Sequence, residues 1–250
     1  MDIYIDLKDN RLKFVKGLIT QNYKNHTVFD INVNFDKIKP QDICIFAPSH
    51  KWSEIEIEKL PQGVSIIGGK IDEKNAKKFN YHNIMQNEDF VYQNAFLTAE
   101  CFLKELIENT KKSIYQEKIL ILGSGRVAKA IWKVFDKVGI SFDSVMRNEK
   151  EKPFATLFSK KVFDMGDLKK IVSNYSVIIN TVPAILFESD DCFDKDSVLF
   201  ELASINSLED NKRIKYILCP ALPARFCPES SGEVMFETLK LFLWKEKKWI

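Results

Sequence analysis

No stretch of this 250-residue chain approaches the about 20 consecutive apolar residues that a membrane span requires. Its first residues, Met1-Asp2-Ile3-Tyr4-Ile5-Asp6, lack the basic and apolar regions of a secretory leader and read at once as a strand. Both absences lead to the expectation of a cytoplasmic protein. Charge of one sign is also scarce: 37 Lys and Arg stand against 35 Asp and Glu, a formal net charge of +2. That balance gives no electrostatic case for a nucleic-acid partner, which needs a clustered basic face. The five cysteines, Cys44, Cys101, Cys192, Cys219 and Cys227, form no Cys-x-x-Cys pair, and His26, His50 and His82 are scattered. Structural zinc wants ligands at short, paired spacings, so no metal is expected. The thiols are expected to be reduced and mostly buried.

What the chain does have is alternation. Short β-rich runs and helical patterns follow one another nearly throughout, the signature of parallel sheets covered by helices. In the first part, residues 2–6, 27–33, 43–47, 64–67 and 83–85 read as strands. Residues 11–22, 52–60 and 73–79 read as helices, the first with apolar Leu12, Val15, Leu18 and Ile19 at helical spacing. Residues 89–110 predict one long helix, read here also as a hinge between two halves. A second alternation follows, with strands at 118–122, 142–146, 161–163, 176–180, 197–201 and 216–219 and helices at 127–138, 167–173 and 208–213. A last helix runs from about Ser231 to Trp244. The expected fold is α/β with two domains. Residues 1–95 form a smaller flavodoxin-like domain that carries substrate and catalytic groups. Residues 96–230 form a Rossmann-type, doubly wound parallel sheet that binds NADP, and 231–250 pack back on the N-terminal domain.

Chemistry enters at Ile119-Leu120-Ile121-Leu122, an apolar run suited to a strand buried on both faces. It leads into Gly123-Ser124-Gly125-Arg126-Val127-Ala128 and then an amphipathic helix closed by Gly139. This is G-x-G-x-x-A between strand and helix, the context a dinucleotide-binding turn requires. Gly123 permits the tight turn and Gly125 lets backbone amides approach a diphosphate at the helix N-terminus. Ala128 keeps helix and strand close. Arg147 ends the next strand, 22 residues after Gly125, near the position about 20 residues on where an acidic residue holds the ribose of NAD. A cation there suits a 2′-phosphate, which favours NADP over NAD, with Arg126 and Asn148 as candidate helpers.

Ligands of open α/β sheets sit beyond the carboxyl ends of the strands. Three segments fall there. Asn180-Thr181-Val182-Pro183 follows the fourth strand of the second alternation, where proline stops the ladder and leaves polar groups for the nicotinamide. Ala203-Ser204 follows the fifth strand and Pro220-Ala221-Leu222-Pro223 the sixth. Ser204, Pro220 and Leu222 are therefore candidate substrate contacts.

At this point the chain resembles a family. Gln93-Asn94-Ala95-Phe96-Leu97-Thr98-Ala99-Glu100 is similar to the helix start of the A subunits of dipicolinate synthase, oxidoreductases of spore-forming bacteria. Leu122-Gly123-Ser124-Gly125-Arg126-Val127, Val177-Ile178-Ile179-Asn180-Thr181-Val182-Pro183-Ala184 and Glu201-Leu202-Ala203-Ser204 resemble the family's later motifs, in the same order. So does the proline-rich turn from Leu218 to Pro228, followed by Ser231-Gly232. The Asn-Thr-x-Pro element by itself also resembles shikimate dehydrogenases; the ordered set is what is specific. The resemblance implies oxidation of a dihydrodipicolinate-type ring, a small heterocyclic dicarboxylate, with hydride passing to NADP. It also implies a role in dipicolinate biosynthesis during sporulation and a partner, the flavoprotein-like B subunit of the same synthase. Asn94, Thr98 and Glu100 would face substrate, and Asn180 to Pro183 would flank the nicotinamide. The chain departs from the family pattern in its proline turn. Ala221 and Ala224 stand where glycines are usual, and Glu229 and Ser230 where a lysine and a threonine are usual.

Aromatising such a ring needs loss of a hydride and a proton, and cations to hold two carboxylates. Base candidates are Glu100, His50 and Lys51; histidine titrates natively near the working pH, glutamate only when desolvated. For Glu100 the competing reading is charge stabilisation of a helix N-terminus. Carboxylate clamps could be Arg225, Lys51 or Arg147. Two other readings stay open, another NAD(P)-linked dehydrogenase of a small carboxylate and a non-catalytic binding subunit of the same fold. A homo-oligomer is compatible with the sequence.

Overall fold

The computed structural model describes residues 1–245, so residues 246–250 of the expected C-terminal segment lie outside it. The chain divides into two compact units, Met1–Asn94 together with the residues from Pro223 onward, and Ala95–Leu222. The chain thus returns to the first unit at Pro223, where the sequence led to an expected return at residue 231.

The first unit begins with β1 (Ile3–Ile5), α1 (Asn10–Asn22), β2 (Val28–Asp30), α2 (Ile31–Asn34) and β3 (Ile43–Ile45). It continues through α3 (Glu54–Lys59), β4 (Ser65–Gly68), α4 (Glu73–Ala76) and β5 (Asn80–Asn83) into α5 (Glu88–Asn109). All five strands are parallel, in the order β2-β1-β3-β4-β5. That is the flavodoxin-like order, whose switch point lies between β1 and β3. One face of the sheet packs Ile3, Ile5, Ile43 and Ile45 against Leu12, Val15 and Ile19 of α1. The other face packs Tyr4, Cys44 and Ile66 with Phe46, Ile57 and Leu60. Full burial of side chains this size is worth about 1.5–3 kcal/mol each, which makes the alternating β-branched strands and the α1 stripe the main stabilising terms.

The second unit runs through β6 (Ile119–Leu122), α6 (Arg126–Val138), β7 (Asp143–Met146), α7 (Lys152–Ala155), β8 (Val162–Asp164) and α8 (Leu168–Ile171). Then come β9 (Val177–Asn180), β10 (Phe187–Ser189), β11 (Val198–Glu201), β12 (Leu208–Asp210) and β13 (Lys215–Leu218). After α9 (Leu222–Phe226), α10 (Pro228–Lys245) returns to the first unit and packs on α1, placing Met235, Phe236 and Leu239 in its core. The six-stranded parallel sheet has the order β13-β11-β9-β6-β7-β8. Read from its β8 edge with strands counted within the unit, this is 3-2-1-4-5-6, the Rossmann order. Phe102 of α5 and Phe200 of β11 meet edge to face at 5.2 Å, and Phe102 stacks towards Phe135 of α6 at 6.5 Å.

Three local expectations need correction. Residues 208–213 do not form a helix. Leu208–Asp210 is a strand that pairs in parallel with β10. Residues after it are captured by the buried Asp190 carboxylate, which accepts from the backbone amides of Lys212, Arg213 and Ile214. Strand β2 stops at Asp30, not Val33, because the Asp30 side chain accepts from the Asn32 amide and starts α2. The strand expected at 83–85 lies at Asn80–Asn83; Asn83 then caps a single helical turn through the Met85 amide.

Candidate functional site

In the second sheet the strand order reverses between β6 and β9, and the Gly123–Gly125 turn lies at that point. Gly123 has φ +107° and donates its N–H to Val145 O at 2.8 Å. A Cβ built on it would lie 2.5 Å from Thr181 Oγ1 and 3.0 Å from Val182 Cγ2. Thr181 cannot retreat, since both its amide and its hydroxyl donate to Leu122 O, at 3.1 and 2.7 Å. Both the backbone conformation and the close approach therefore demand glycine.

Gly125 differs. It is the exposed N-cap of α6, in ordinary extended backbone, and a Cβ there would meet nothing within 4 Å. No side chain caps α6 and no acidic residue stands in its first turn. The positive end of a 13-residue helix thus opens onto free space, while Ala128, fully buried, lets the helix lie close to the sheet. This arrangement fits a dinucleotide diphosphate, held by amides of residues 125–128. Ser124 and Val127 are half-buried beside it, and Arg126 is exposed. Arg147 is exposed just past β7 and makes no ion pair among the described residues. Asn148 next to it caps the following turn through the Lys150 amide.

The loop after β9 is organised from within. Asn180, fully buried, accepts from the Val182 amide at 2.9 Å and donates to Val182 O at 3.0 Å and to Glu201 Oε1 at 2.6 Å. Its side chain is thereby committed to shaping the loop, with Thr181 and Val182 half-buried against Gly123 and Pro183 exposed. Glu201, at the end of β11, is 2% exposed and was assigned no role from sequence. Its carboxylate also accepts from Ala203 N (3.1 Å), Ser207 N (2.8 Å), Ser207 Oγ (2.6 Å) and Tyr216 OH (3.2 Å). Burial, followed by the charge of Glu201, raises the Tyr216 phenol above its ordinary range. Ser204 is exposed in the loop beyond.

The proline-rich turn carries backbone strain. Ala221 has φ +48°. A left-handed conformation costs a residue with a Cβ about 1–2 kcal/mol. Pro220 is exposed, Leu222 is 1% exposed, and the Arg225 guanidinium lies 4.7 Å from the Phe226 ring centre.

In the first unit His50 lies beyond β3, next to the β1–β3 switch point. Its Nδ1 is 3.6 Å from Asp6 Oδ2 and its Nε2 3.6 Å from Glu56 Oε1. Phe46 and Trp52 enclose the imidazole, each with ring centres 4.7 Å from it. Glu56 is held in place by Ser53, whose amide and hydroxyl both donate to its Oε2. Asp6, 6% exposed, also accepts from Asn32 Nδ2 and the Lys8 amide. The His50 imidazole is the largest influence holding the Asp6 carboxyl down, at about 2; burial opposes it, and Asn32 and the Lys8 amide assist.

A folded-state value below the ordinary 3.8 means stability that is complete above that pH and lost as pH falls through about 2. Asp6→Asn is therefore expected to cost up to about 2 kcal/mol at pH 7, with the difference roughly halved at pH 3. Urea unfolding at the two pH values checks this, and a pH-independent difference would show that the carboxylate charge is not the cause.

Lys51 is exposed and makes no ion pair among the described residues. Glu100 is also exposed, and it lies in the middle of α5, not in its first turn, so charge stabilisation of that helix N-terminus is not its role. Asn94 and Thr98 are half-buried on the same helix. Sequence reasoning missed Asp6 and Glu201. Both are acids at the carboxyl end of a strand, the place where the rule for open α/β sheets looks for ligands.

No family model matches the chain. The fold itself is widely shared. NAD-dependent formate dehydrogenase from Staphylococcus aureus, solved in complex with NAD, matches 99% of this chain and 96% of its own, with 15% identity and a TM-score of 0.62. The chain thus shares a two-domain Rossmann fold with such dehydrogenases. Within it, the A subunit of dipicolinate synthase from Bacillus halodurans matches 97% of both chains, with 18% identity and a TM-score of 0.80. The curated A subunit of dipicolinate synthase from Bacillus subtilis strain 168 is 23% identical over 167 residues, 64% of this chain and 56% of that protein. The chain is a distant homologue of these A subunits of dipicolinate synthase. The aligned stretch spans little more than half the length of that curated relative. Among the described residues no helix is long and apolar enough to cross a membrane, and no group of three or more His, Cys, Asp or Glu is placed to hold a metal ion.

Proposed function

We propose that the protein is an NADP-linked dehydrogenase that oxidises a dihydrodipicolinate-type ring to the aromatic pyridine dicarboxylate. The observation that carries this reading is the uncapped N-terminus of α6 behind Gly123 and Gly125, at the switch point between β6 and β9. The balance is one hydride to the oxidised cofactor and one proton to the protein or solvent, leaving a reduced cofactor and an aromatic ring. The bound nicotinamide supplies the hydride acceptor.

The chain's own residues do the rest. Amides of residues 125–128 hold the diphosphate, and Arg147 takes the 2′-phosphate. Of the three expected acid–base residues, only His50 is set against carboxylates, so proton handling is assigned to it. Catalytic contacts are often long without substrate and tighten when it binds. The B-subunit partner and the dicarboxylate substrate are proposed on the resemblance to the A subunits and share its test.

That test is titration of the purified protein with NADP and NAD by melting temperature, followed by NADPH absorbance with a panel of small carboxylates, with and without the B component of the synthase. Turnover of a shikimate-like substrate alone would move the assignment to another dehydrogenase; absence of any cofactor shift would leave a binding subunit. Arg147→Ala is expected to weaken NADP at least about tenfold, the worth of one charge-assisted phosphate contact, and to leave NAD unchanged. Equal loss for both cofactors would remove Arg147 from the 2′-phosphate.

A further inference from the structure

Glu201 is a buried carboxylate with no cationic partner among the described residues. It is 2% exposed, accepts from five donors and donates to none, the pattern of an ionised carboxylate. No ion pair among the described residues includes it. Burying a charge is costly unless an opposite charge accompanies it, and neutral donors replace only part of what water supplied. The position is also particular. Through Asn180 the carboxylate fixes Val182, and Val182 and Thr181 form the wall against which Gly123 is pressed. Through Tyr216 and Ser207 it ties β13 and the loop after β11 to the same point. A single negative charge thus sits one side chain behind the cofactor wall.

The oxidised nicotinamide ring is cationic and the reduced ring is neutral. We propose that Glu201 is a positioning residue of the cofactor crevice whose uncompensated charge selects the oxidised cofactor over the reduced one. The inference rests on the dinucleotide reading given above. The carboxylate holds the β9 loop in the shape that accepts the cofactor, and the cation it lacks among the described residues arrives with the ligand. Such a bias suits a dehydrogenase working in the oxidative direction, because NADP binds and NADPH leaves.

The test compares equilibrium binding of NADP and NADPH, by calorimetry or by quenching of protein fluorescence, with no substrate present. The wild-type protein is expected to bind NADP more tightly than NADPH. Glu201→Gln, which keeps the size of the side chain, removes the charge and turns one donor group towards the N–H groups around it, is expected to weaken NADP about tenfold and NADPH less than about threefold, a difference set by one charge acting across a partly polar medium. Glu201→Asp is expected to restore the preference, and Tyr216→Phe, which removes a neutral donor and leaves the charge, to keep it. Tighter binding of NADPH by the wild-type protein would overturn the proposal without any variant, should the Gln substitution prevent folding. So would equal weakening of both forms in Glu201→Gln or loss of the preference in Tyr216→Phe. If the wild-type protein bound neither form, the dinucleotide reading itself would fall, and this inference with it.

Discussion

Gly125→Val is expected to abolish the thermal shift that NADP produces while leaving the unliganded protein nearly as stable as before. The backbone at this position is extended, at φ −75° and ψ −174°, a conformation valine adopts readily. A Cβ there meets nothing within 4 Å, so the substitution creates no clash in the protein. Losing glycine as N-cap costs about 1 kcal/mol. The added methyl groups instead occupy the space through which a diphosphate must approach the first amides of α6. At a cofactor concentration about a hundred times its dissociation constant, binding stabilises the folded state by about 2.7 kcal/mol. That corresponds to about 5–10 °C in a chain of this size. The variant should show almost none of it. A wild-type shift retained in Gly125→Val would mean that the dinucleotide does not lie against this turn, and the oxidoreductase assignment would lose its support. Gly123 cannot serve for this test, because its positive φ and its contact with Thr181 entangle binding with folding.

Gly69→Ala is expected to produce the largest loss of stability from the smallest change. A methyl at position 69 would lie 2.1 Å from Pro48 O and 2.8 Å from Pro48 C. Both are backbone atoms, so no rotamer change relieves the clash. Gly69 is held from the other side as well, since its carbonyl accepts from Tyr81 OH, which in turn accepts from the Ile71 amide. One of the two segments must move, at a cost of about 2–3 kcal/mol or about 5–10 °C in melting temperature. The Pro48 segment bears His50 two residues on, tied by its amide to Ala47 O. Its displacement should also separate the imidazole from Asp6 and flatten the acid limb of the stability profile. An unchanged melting temperature would show that the 47–50 loop yields freely.

The fold was legible in sequence where the pattern is long or doubly buried. Ile119–Leu122 with its glycine turn, the α1 stripe and the 22-residue helix α5 all carry local signals that packing reinforces. The failures are short polar segments whose conformation is set from a distance. Leu208–Asp210 reads as helix by composition, yet it is held as a strand by pairing with Phe187–Ser189 and by Asp190, some 20 residues earlier in the chain. The candidate site divides in the same way. Gly123 and Gly125 announce themselves because backbone geometry restricts the residue type. Asp6 and Glu201 do not, because a lone acid at a strand end looks like any other until the fold supplies His50 beside one and five donors around the other.

The return of the chain to its first unit has a bearing on synthesis. Met235, Phe236 and Leu239 complete a core whose other buried members lie before residue 95, so the first ninety-odd residues leave the ribosome with the helical cover on one side of their sheet incomplete. The six-stranded sheet, wholly contained in Ala95–Leu222, can close as soon as it emerges. The part translated first should therefore be the part that matures last. In the interval the apolar surface that α10 later covers, on α1 and beside it, is the stretch of nascent chain most in need of a chaperone.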